Sequence, residues 1–239
     1  VRAAVASMLA CCVAGLLAAV SAVPAPAADA IDGLEGGAKL EALIARVVQQ
    51  QRSVRSLKAD FVQRKRSELL LADIESSGVF IFRAPDKVRW DYRQPDLMVV
   101  VFADDTLTTF HPEQARAERV KVSDSQRRFV RVLAGTQPLD DLIVHFSVTL
   151  ADPGPGKPYR LTLRPVDKVI KKRLASVLLE VDRRLYLPVV VEYNEADGDS
   201  TRYEFRNLVL NPELGDASFR LELGADVRLQ TIDASAGVG

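Results

Sequence analysis

Few side chains in this sequence have the types and spacing that chemistry requires. The histidines are His111 and His145, and the cysteines are Cys11 and Cys12. A catalytic or metal site needs several such groups that converge on one point, and neither histidine has a second His or Cys at ligand spacing. Asp104-Asp105 is a candidate carboxylate pair, but it lies between two apolar runs, where Asp is typical of a tight turn. The sequence therefore predicts no catalytic residue, no metal site and no cofactor.

Motifs and charge narrow the expected function further. The chain has neither a G-x-S-x-G nucleophile elbow nor a phosphate-binding G-x-x-x-x-G-K loop. Lys and Arg total 32, as do Asp and Glu, so no long-range field favours a phosphate backbone and nucleic acid is not an expected partner. A hydrolase that uses His145 or Asp104 is the enzymatic alternative.

The N-terminal segment is typical of a secretory signal peptide. Arg2 precedes an apolar run from Leu9 to Val20, and small residues at 25–27 and 28–30 offer cleavage sites. We expect residues 1–28 to be removed, which leaves one domain, 29–239, that is exported without a cysteine. Lipidation of Cys11 is the alternative interpretation of the same run.

The elements that would position any site are strands with a few helices. Leu40, Leu43, Ile44, Val47 and Val48 recur at helical spacing within 38–51, and helical spacing returns in an insert at 124–143, with a second short helix from Pro138 to Leu142. Alternating residues from Leu57 to Phe61 begin the strands. Further strand-like segments are 68–74, 76–83, 87–93, 97–103, 106–111, 115–122, 144–151, 158–164, 174–182, 186–195 and 200–210. Asp197-Gly198, between the last two, is a strong hairpin signal.

This layout predicts a mainly β fold with helices (α+β). We expect an incomplete antiparallel β-barrel of about eleven strands, with an N-terminal helix and a helical lid or plug formed by the insert. No shift in composition marks a second domain.

Two of the predicted strands are apolar on both faces, and this pattern suggests what the fold encloses. Residues 79–82 and 97–102 contain no charged side chain, whereas an exposed antiparallel sheet would have one polar face. Both faces must therefore be covered, and the helix at 40–48 and the insert are the expected covers. Either a hydrophobic cavity or a solid core satisfies this requirement.

We predict a lipid-binding surface from the alternating apolar residues. Its candidates are Phe80, Phe82, Trp90, Val99, Val101, Phe110, Leu178, Val189, Val191, Tyr203 and Phe205. The sequence does not decide which strand face looks inward, so Val79, Ile81 and Val100 are the alternative set. In the insert, we expect Phe129, Val132, Leu133, Leu139 and Leu142 to fill the empty pocket and move away on loading.

An ordered set of segments resembles the LolA-type family of periplasmic outer-membrane lipoprotein carriers. The set runs from "LKADFVQ" (57–63) through "SGVFIFRAPDKVRWDY" (77–92) and "DDTLTTFHPEQARAERV" (104–120) to the hairpin region at 181–223. The resemblance implies an unclosed barrel with a helical lid and a monomeric carrier, without enzyme activity, that shields lipoprotein acyl chains in the periplasm. It also implies two partners: an inner-membrane ABC-type lipoprotein-releasing complex and an outer-membrane receptor lipoprotein.

One position departs from the family pattern. Family carriers often place an arginine directly before the proline of the strand turn, where it tethers the lid, but Ala84 occupies that position here. Arg83 and Arg89 are the candidates for a lid latch. The departure leaves open a non-lipoprotein cargo such as a glycolipid, and a regulatory module that senses lipid or lipoprotein is the other alternative.

Overall fold

The first half of the chain contributes one helix and six strands. The computed structural model describes residues 31–67, 72–122 and 138–233. The elements up to residue 122 are α1 (Gly36–Ser53), β1 (Ser56–Arg66), β2 (Ile74–Arg83), β3 (Lys87–Gln94), β4 (Met98–Ala103), β5 (Thr106–His111) and β6 (Arg116–Lys121). Asp104 and Asp105 form the tight turn between β4 and β5, with φ angles of 50° and 59°.

Among its described residues, the second half adds six strands and two short helices. They are α2 (Leu139–Ile143), β7 (Phe146–Ala151), β8 (Tyr159–Pro165), α3 (Lys168–Lys171), β9 (Leu174–Val181), β10 (Pro188–Glu195), β11 (Ser200–Leu210) and β12 (Arg228–Asp233). Asp197-Gly198 makes the predicted hairpin between β10 and β11, and Gly198 supplies the positive φ of 99°.

All twelve strands form one open sheet. Their order is β12-β6-β5-β4-β3-β2-β1-β11-β10-β9-β8-β7, so β12 and β7 are the two edges and the barrel is not closed. The expected incomplete barrel with an N-terminal helix is confirmed. Neighbouring strands pair antiparallel except β12, which pairs parallel with β6.

The two faces of the first-half strands have different covers. We call the face that carries Phe80 and Trp90 the inner face, and the face that carries Val79 and Val101 the outer face. Phe80 pairs with Trp90, and Val79 pairs with Asp91, on successive positions of β2 and β3, so these two sets point in opposite directions.

A segment near the C-terminus covers the outer face. We call residues 212–221 the C-terminal strap. Its short 3₁₀ turn, Asp216–Phe219, buries Phe219 against Val79, Ile81 and Val101. The strap explains why β2 and β4 are apolar on both sides.

Charged groups fasten the strap to the sheet. The Arg83 guanidinium donates to the Leu214 carbonyl at 2.9 Å and pairs with the Asp216 carboxylate. Lys87 lies 3.1 Å from the same carboxylate. The hydrogen bond from Arg83, with that from Lys87, lowers the pKa of Asp216 to about 2, so this carboxylate is charged at any pH at which the protein is handled.

Helix α1 packs on the second half of the sheet. Leu43 and Val47, one helical turn apart, are fully buried in a cluster with Tyr159, Leu161 and Val181. Burial of such a side chain contributes about 1.5–3 kcal/mol, which holds the helix against β8 and β9.

Three expectations about the elements need correction. The structure does not use α1 to cover the double-faced strands, because the strap does so. Of the expected strand 68–74, residues 68–71 lie outside the described residues, residues 72 and 73 are not in a strand, and residue 74 already belongs to β2. The sheet has one strand more than expected, since β12 joins the edge after Phe219.

Replacement of Phe219 by alanine tests the strap. Phe219 is 4 % exposed, and truncation of a buried Phe typically costs about 3–5 kcal/mol. We expect Phe219→Ala to lower the free energy of unfolding by about that amount in urea denaturation. The control is Val209→Ala, since Val209 is 51 % exposed and a surface change should stay within about 0.5 kcal/mol. A loss below about 1 kcal/mol for Phe219→Ala would show that the strap is not a structural cover.

Candidate functional site

Trp90 lies at the centre of an aromatic cluster on the inner face. Its ring centroid is 4.5 Å from that of Phe80, 4.8 Å from that of Phe61 and 4.9 Å from that of Tyr203. Trp90 is on β3 and Tyr203 on β11, with β2 and β1 between them. Adjacent strands are about 4.8 Å apart, so a flat sheet would separate β3 from β11 by roughly 14 Å. The contact between the two rings therefore requires the sheet to curl around its inner face.

Two tyrosines belong to the same cluster and remain uncharged. Tyr92 lies 5.0 Å from Phe61, ring centroid to ring centroid. Burial, followed by the proximity of Tyr203 and the hydrogen bond between the two side chains, raises the pKa of Tyr92 well above its usual range. Burial also raises the pKa of Tyr203. The inner face at this point therefore presents aromatic surface without a formal charge.

A cavity of about 340 Å³ opens on the inner face beside this cluster. Of the fifteen described residues that line it, twelve are apolar, and the three polar ones, Gln51, Arg52 and Asp141, lie at the helical end. The apolar lining residues are Val54, Leu57, Phe80, Phe82, Ala84, Pro85, Pro138, Leu187, Pro188, Val191, Phe205 and Leu208. Its volume falls within the range of about 300–1,000 Å³ that is usual for ligand pockets.

Helix α2 borders this cavity and is held by α1. Leu139 is 1 % exposed and packs in the cluster that contains Leu43 and Val47. The Leu139 backbone N–H donates to the Gln51 side-chain oxygen at 2.9 Å. Arg52 pairs with Asp140 at 2.5 Å, but the Arg52 side chain is 69 % exposed, and such a pair stabilises by only about 0–1 kcal/mol. The described end of the insert is therefore held by the buried Leu139, by Leu142 and Ile143, which pack partly buried on the same core, and by polar contacts that include these two.

The structure brings six of the predicted lipid-binding residues to the inner face. Phe80, Phe82, Val191 and Phe205 line the cavity. Trp90 and Tyr203 lie beside them, since the Trp90 ring is 5.8 Å from that of Phe205 and the rings of Tyr203 and Phe205 are stacked.

Four other predicted residues lie on the opposite face. Val99 and Val101 pack with Phe219 of the strap, and Phe110 pairs with Val99. Leu178 pairs with Glu192, whereas Val191 pairs with Leu179. The predicted set mixed both faces, because a shift of one residue along a strand reverses the direction of its side chain.

The remaining pocket candidates are divided in the same way. Val79 and Ile81, from the alternative set, lie under the strap, while Val100 packs on the inner face. Val189 is the extra residue where the pairing of β10 with β9 shifts, between Pro188 and Val190. Such a bulge changes which face a side chain meets, and alternation alone does not reveal it.

The predicted lid residues are only partly within the described chain. Leu139 is buried and Leu142 partly buried against the same core, whereas Phe129, Val132 and Leu133 lie outside the described residues.

Both latch candidates contact the C-terminal strap instead of α2. Arg83 bonds Leu214 and Asp216. Arg89 donates to both carboxylate oxygens of Asp91 and, at 3.3 Å, to the Ser218 carbonyl. The predicted latch is a contact with the insert, of which residues 124–137 lie outside the described residues, so the latch role stays a prediction.

Sequence reasoning missed the residues that hold α2 and several that line the cavity. Gln51 and Arg52 lie in the last turn of α1, where a basic residue is ordinary because it complements the helix C-terminus. Leu57 and Leu187 are apolar and lie near strand starts, but nothing in their spacing indicates that they line a cavity. Whether Leu57 and Leu187 line a cavity depends on how the first and second halves of the sheet are placed around it, which local spacing does not show.

The groups considered for catalysis are not assembled into a site. Asp104 lies in the β4–β5 turn, 3.6 Å from Lys87, and His145 follows α2, where its carbonyl accepts from the Val166 N–H at 2.8 Å. Across residues 31–67, 72–122 and 138–233, no group of three or more His, Cys, Asp or Glu side chains could hold a metal ion. In the same ranges, no helix has the length and apolar character to cross a membrane.

Comparison with known proteins identifies the family. The model of the family described as "Outer membrane lipoprotein carrier protein LolA" matches residues 52–222, well over half of the chain. The chain belongs to the LolA family. This match spans the curled sheet from β1 to the strap, and with it the cavity.

Individual proteins also resemble the chain. An outer-membrane lipoprotein carrier protein of Alkalilimnicola ehrlichii is 27% identical over 186 residues, which are 77% of this chain and 80% of that protein. An uncharacterized conserved protein of Thermus thermophilus has a similar fold, with a TM-score of 0.51 and 9% identity over 81% of this chain and 99% of that one. A chain in the MucA/MucB complex of Pseudomonas aeruginosa gives a TM-score of 0.45 at 16% identity, with 80% of this chain and 63% of that chain covered.

Removal of the Gln51 side chain tests how α2 is held. Gln51→Ala deletes the acceptor of the Leu139 N–H, and a hydrogen bond of this kind stabilises by about 1 kcal/mol. We expect the Leu139 amide to exchange with deuterium about fivefold faster, as measured by NMR. The neighbouring substitution Gln50→Ala is the control, since the Gln50 side chain makes no hydrogen bond to the described residues and the bond from Ser53 goes to its backbone carbonyl. Equal exchange rates in the two variants would contradict the role given to Gln51.

Proposed function

We propose that this protein is a periplasmic carrier that binds the acyl chains of lipoproteins in the inner-face cavity. In this proposal it takes them from an inner-membrane ABC-type releasing complex and delivers them to an outer-membrane receptor lipoprotein. The supporting observation is a cavity of about 340 Å³ with a mostly apolar lining, bordered by a weakly held helix. The name of the Alkalilimnicola relative, outer-membrane lipoprotein carrier protein, supports the lipoprotein as cargo.

The size of the cavity suits part of a hydrocarbon chain. A methylene group is about as large as a water molecule, whose share of liquid volume is about 30 Å³, so the cavity holds roughly ten of them. Each buried methylene contributes about 0.8 kcal/mol, or roughly 8 kcal/mol in total. Loading must displace Leu139 or other apolar contacts, which offsets part of this gain. The resulting affinity is moderate, which a carrier needs because it must also release its cargo.

The insert supplies the moving part in this proposal. Phe129, Val132 and Leu133 are proposed to occupy the cavity when it is empty, together with Leu139 and Leu142. The contacts of α2 with α1 through Gln51 and Arg52 are weak, so what an entering acyl chain must replace there is mainly the apolar packing of Leu139, Leu142 and Ile143. No nucleotide-binding motif is present in the sequence, so we assign the energy for loading to the donor complex.

A pair of valines on opposite faces tests the cavity as the binding site. Val191 lines the cavity and is 3 % exposed, and Val101 lies under the strap and is 4 % exposed. Val→Thr keeps the volume and adds a hydroxyl. We expect Val191→Thr to weaken binding of a fluorescent fatty acid about fivefold. The bound acyl chain would displace water from the threonine hydroxyl and offer it no hydrogen-bond partner in exchange.

Val101→Thr is the matched control for this test. Its hydroxyl is also buried in a strand, so both variants should lose similar stability in urea denaturation, but the dissociation constant of the control should remain that of the unmodified protein. Equal weakening of fatty-acid binding in both variants would mean that the cavity is not the binding site, or that both substitutions weaken binding by destabilising the fold.

A further inference from the structure

A basic and apolar surface lies where β8 and β9 meet α3. We call residues 144 and 166–173 the basic face. Val144, Val166 and Val169 are 71 %, 55 % and 74 % exposed, which is unusual for valine. The N–H of Val166 donates to the carbonyl of His145 at 2.8 Å, so segment 166–173 lies beside the residue that follows α2.

Within the part of the chain that the structure describes, the cations of the basic face have no acidic partner. Lys168, Lys171, Lys172 and Arg173 make no ion pair among the described residues, although other cations of the chain do, for example Lys39 with Asp152 at 2.5 Å. The neighbouring carboxylate of Asp167 accepts from the N–H groups of Val169 and Ile170 at 2.7 and 3.1 Å. Four cations and one carboxylate give this segment a net positive charge in a chain whose total charge is zero.

A second cavity connects the basic face with the inner face of the sheet. It has a volume of about 530 Å³, and Lys172 and Arg173 line it together with Tyr193 and Tyr203. Tyr203 is part of the aromatic cluster around Trp90. Lys65, Glu195 and Asp197 also line this cavity, so its mouth carries both signs of charge with an excess of cations. Two cations of the basic face, Lys172 and Arg173, thus lie at a cavity that reaches the aromatic cluster.

We propose that the basic face docks on the surface of an anionic lipid bilayer, so that the second cavity opens at the level of the headgroups. Lys and Arg near such a surface are attracted by its negative potential. The three valines are suited to a shallow position among the headgroups, and the long lysine side chains can keep their charges in water beside them. An acidic protein surface would attract the same cations but gives no reason for three exposed valines. This contact does not depend on which cargo the first cavity holds.

Vesicle binding tests this contact. The protein purified from cells that express the full chain is sedimented with vesicles of phosphatidylcholine, with or without phosphatidylglycerol. We expect binding to the phosphatidylglycerol vesicles only, and binding that weakens as salt is added. Lys168→Gln with Lys171→Gln should lower the partition coefficient about fivefold for each cation removed. Val169→Ser should lower it severalfold with all charges kept.

The matched control removes two cations at the other ends of the same strands. Lys157 precedes β8 and Arg184 follows β9, and both are exposed. Lys157→Gln with Arg184→Gln has the same net charge as the test variant but leaves the basic face intact, so its partition coefficient should change less than about twofold. Equal losses in the two double variants, an unchanged value for Val169→Ser, or equal binding to neutral vesicles would overturn the proposal.

Discussion

The contact of Trp90 with Tyr203 and Phe205 is the constraint on which the rest of this structure depends. It joins strands that are three positions apart in the sheet, with ring centroids 4.9 and 5.8 Å apart, so it exists only if the sheet curls. Once the sheet curls, its inner face is concave and its outer face is convex. Where β2 and β4 are apolar on both sides, both faces must be shielded from water. The aromatic cluster and the cavity occupy the inner face, and the strap with Phe219 covers the outer face.

The two covers are held with different strengths, and this difference fits the proposed function. The strap has a buried phenylalanine, an ion pair from Arg83 to Asp216 and hydrogen bonds from Arg83 and Arg89 to its carbonyls. The described part of the insert is held mainly by the apolar packing of Leu139, Leu142 and Ile143, with weak polar contacts to Gln51 and Arg52 of α1. A curled sheet that is fixed from outside and loosely closed from inside can admit an apolar guest without unfolding.

Much of the fold was predictable, because the alternation of apolar and polar residues along a strand is a local signal. Which face of each strand points inward was not predictable. The Asp197-Gly198 hairpin, the Asp104-Asp105 turn and the incomplete barrel with an N-terminal helix follow from residue types over short stretches. The choice between Val101 and Val100 as the inward residue does not, since β4 is apolar at both positions and only the strap distinguishes them. Arg83 and Arg89 became latch candidates through the family resemblance, and no local pattern indicated that both also bond to the strap. The bulge at Val189 and the parallel pairing of β12 depend on distant strands, so no local pattern indicates them.

The contents of the cavity test the central claim most directly. The protein should be purified from cells that express the full chain and extracted with organic solvent, and the released material should be identified by mass spectrometry against an equal amount of Val191→Thr protein. The account predicts acyl-bearing molecules in roughly stoichiometric amount from the unmodified protein and less from the variant. Two results would contradict it. One is a bound molecule that carries no acyl chain, and the other is a protein that takes up no acylated molecule even when one is supplied in excess.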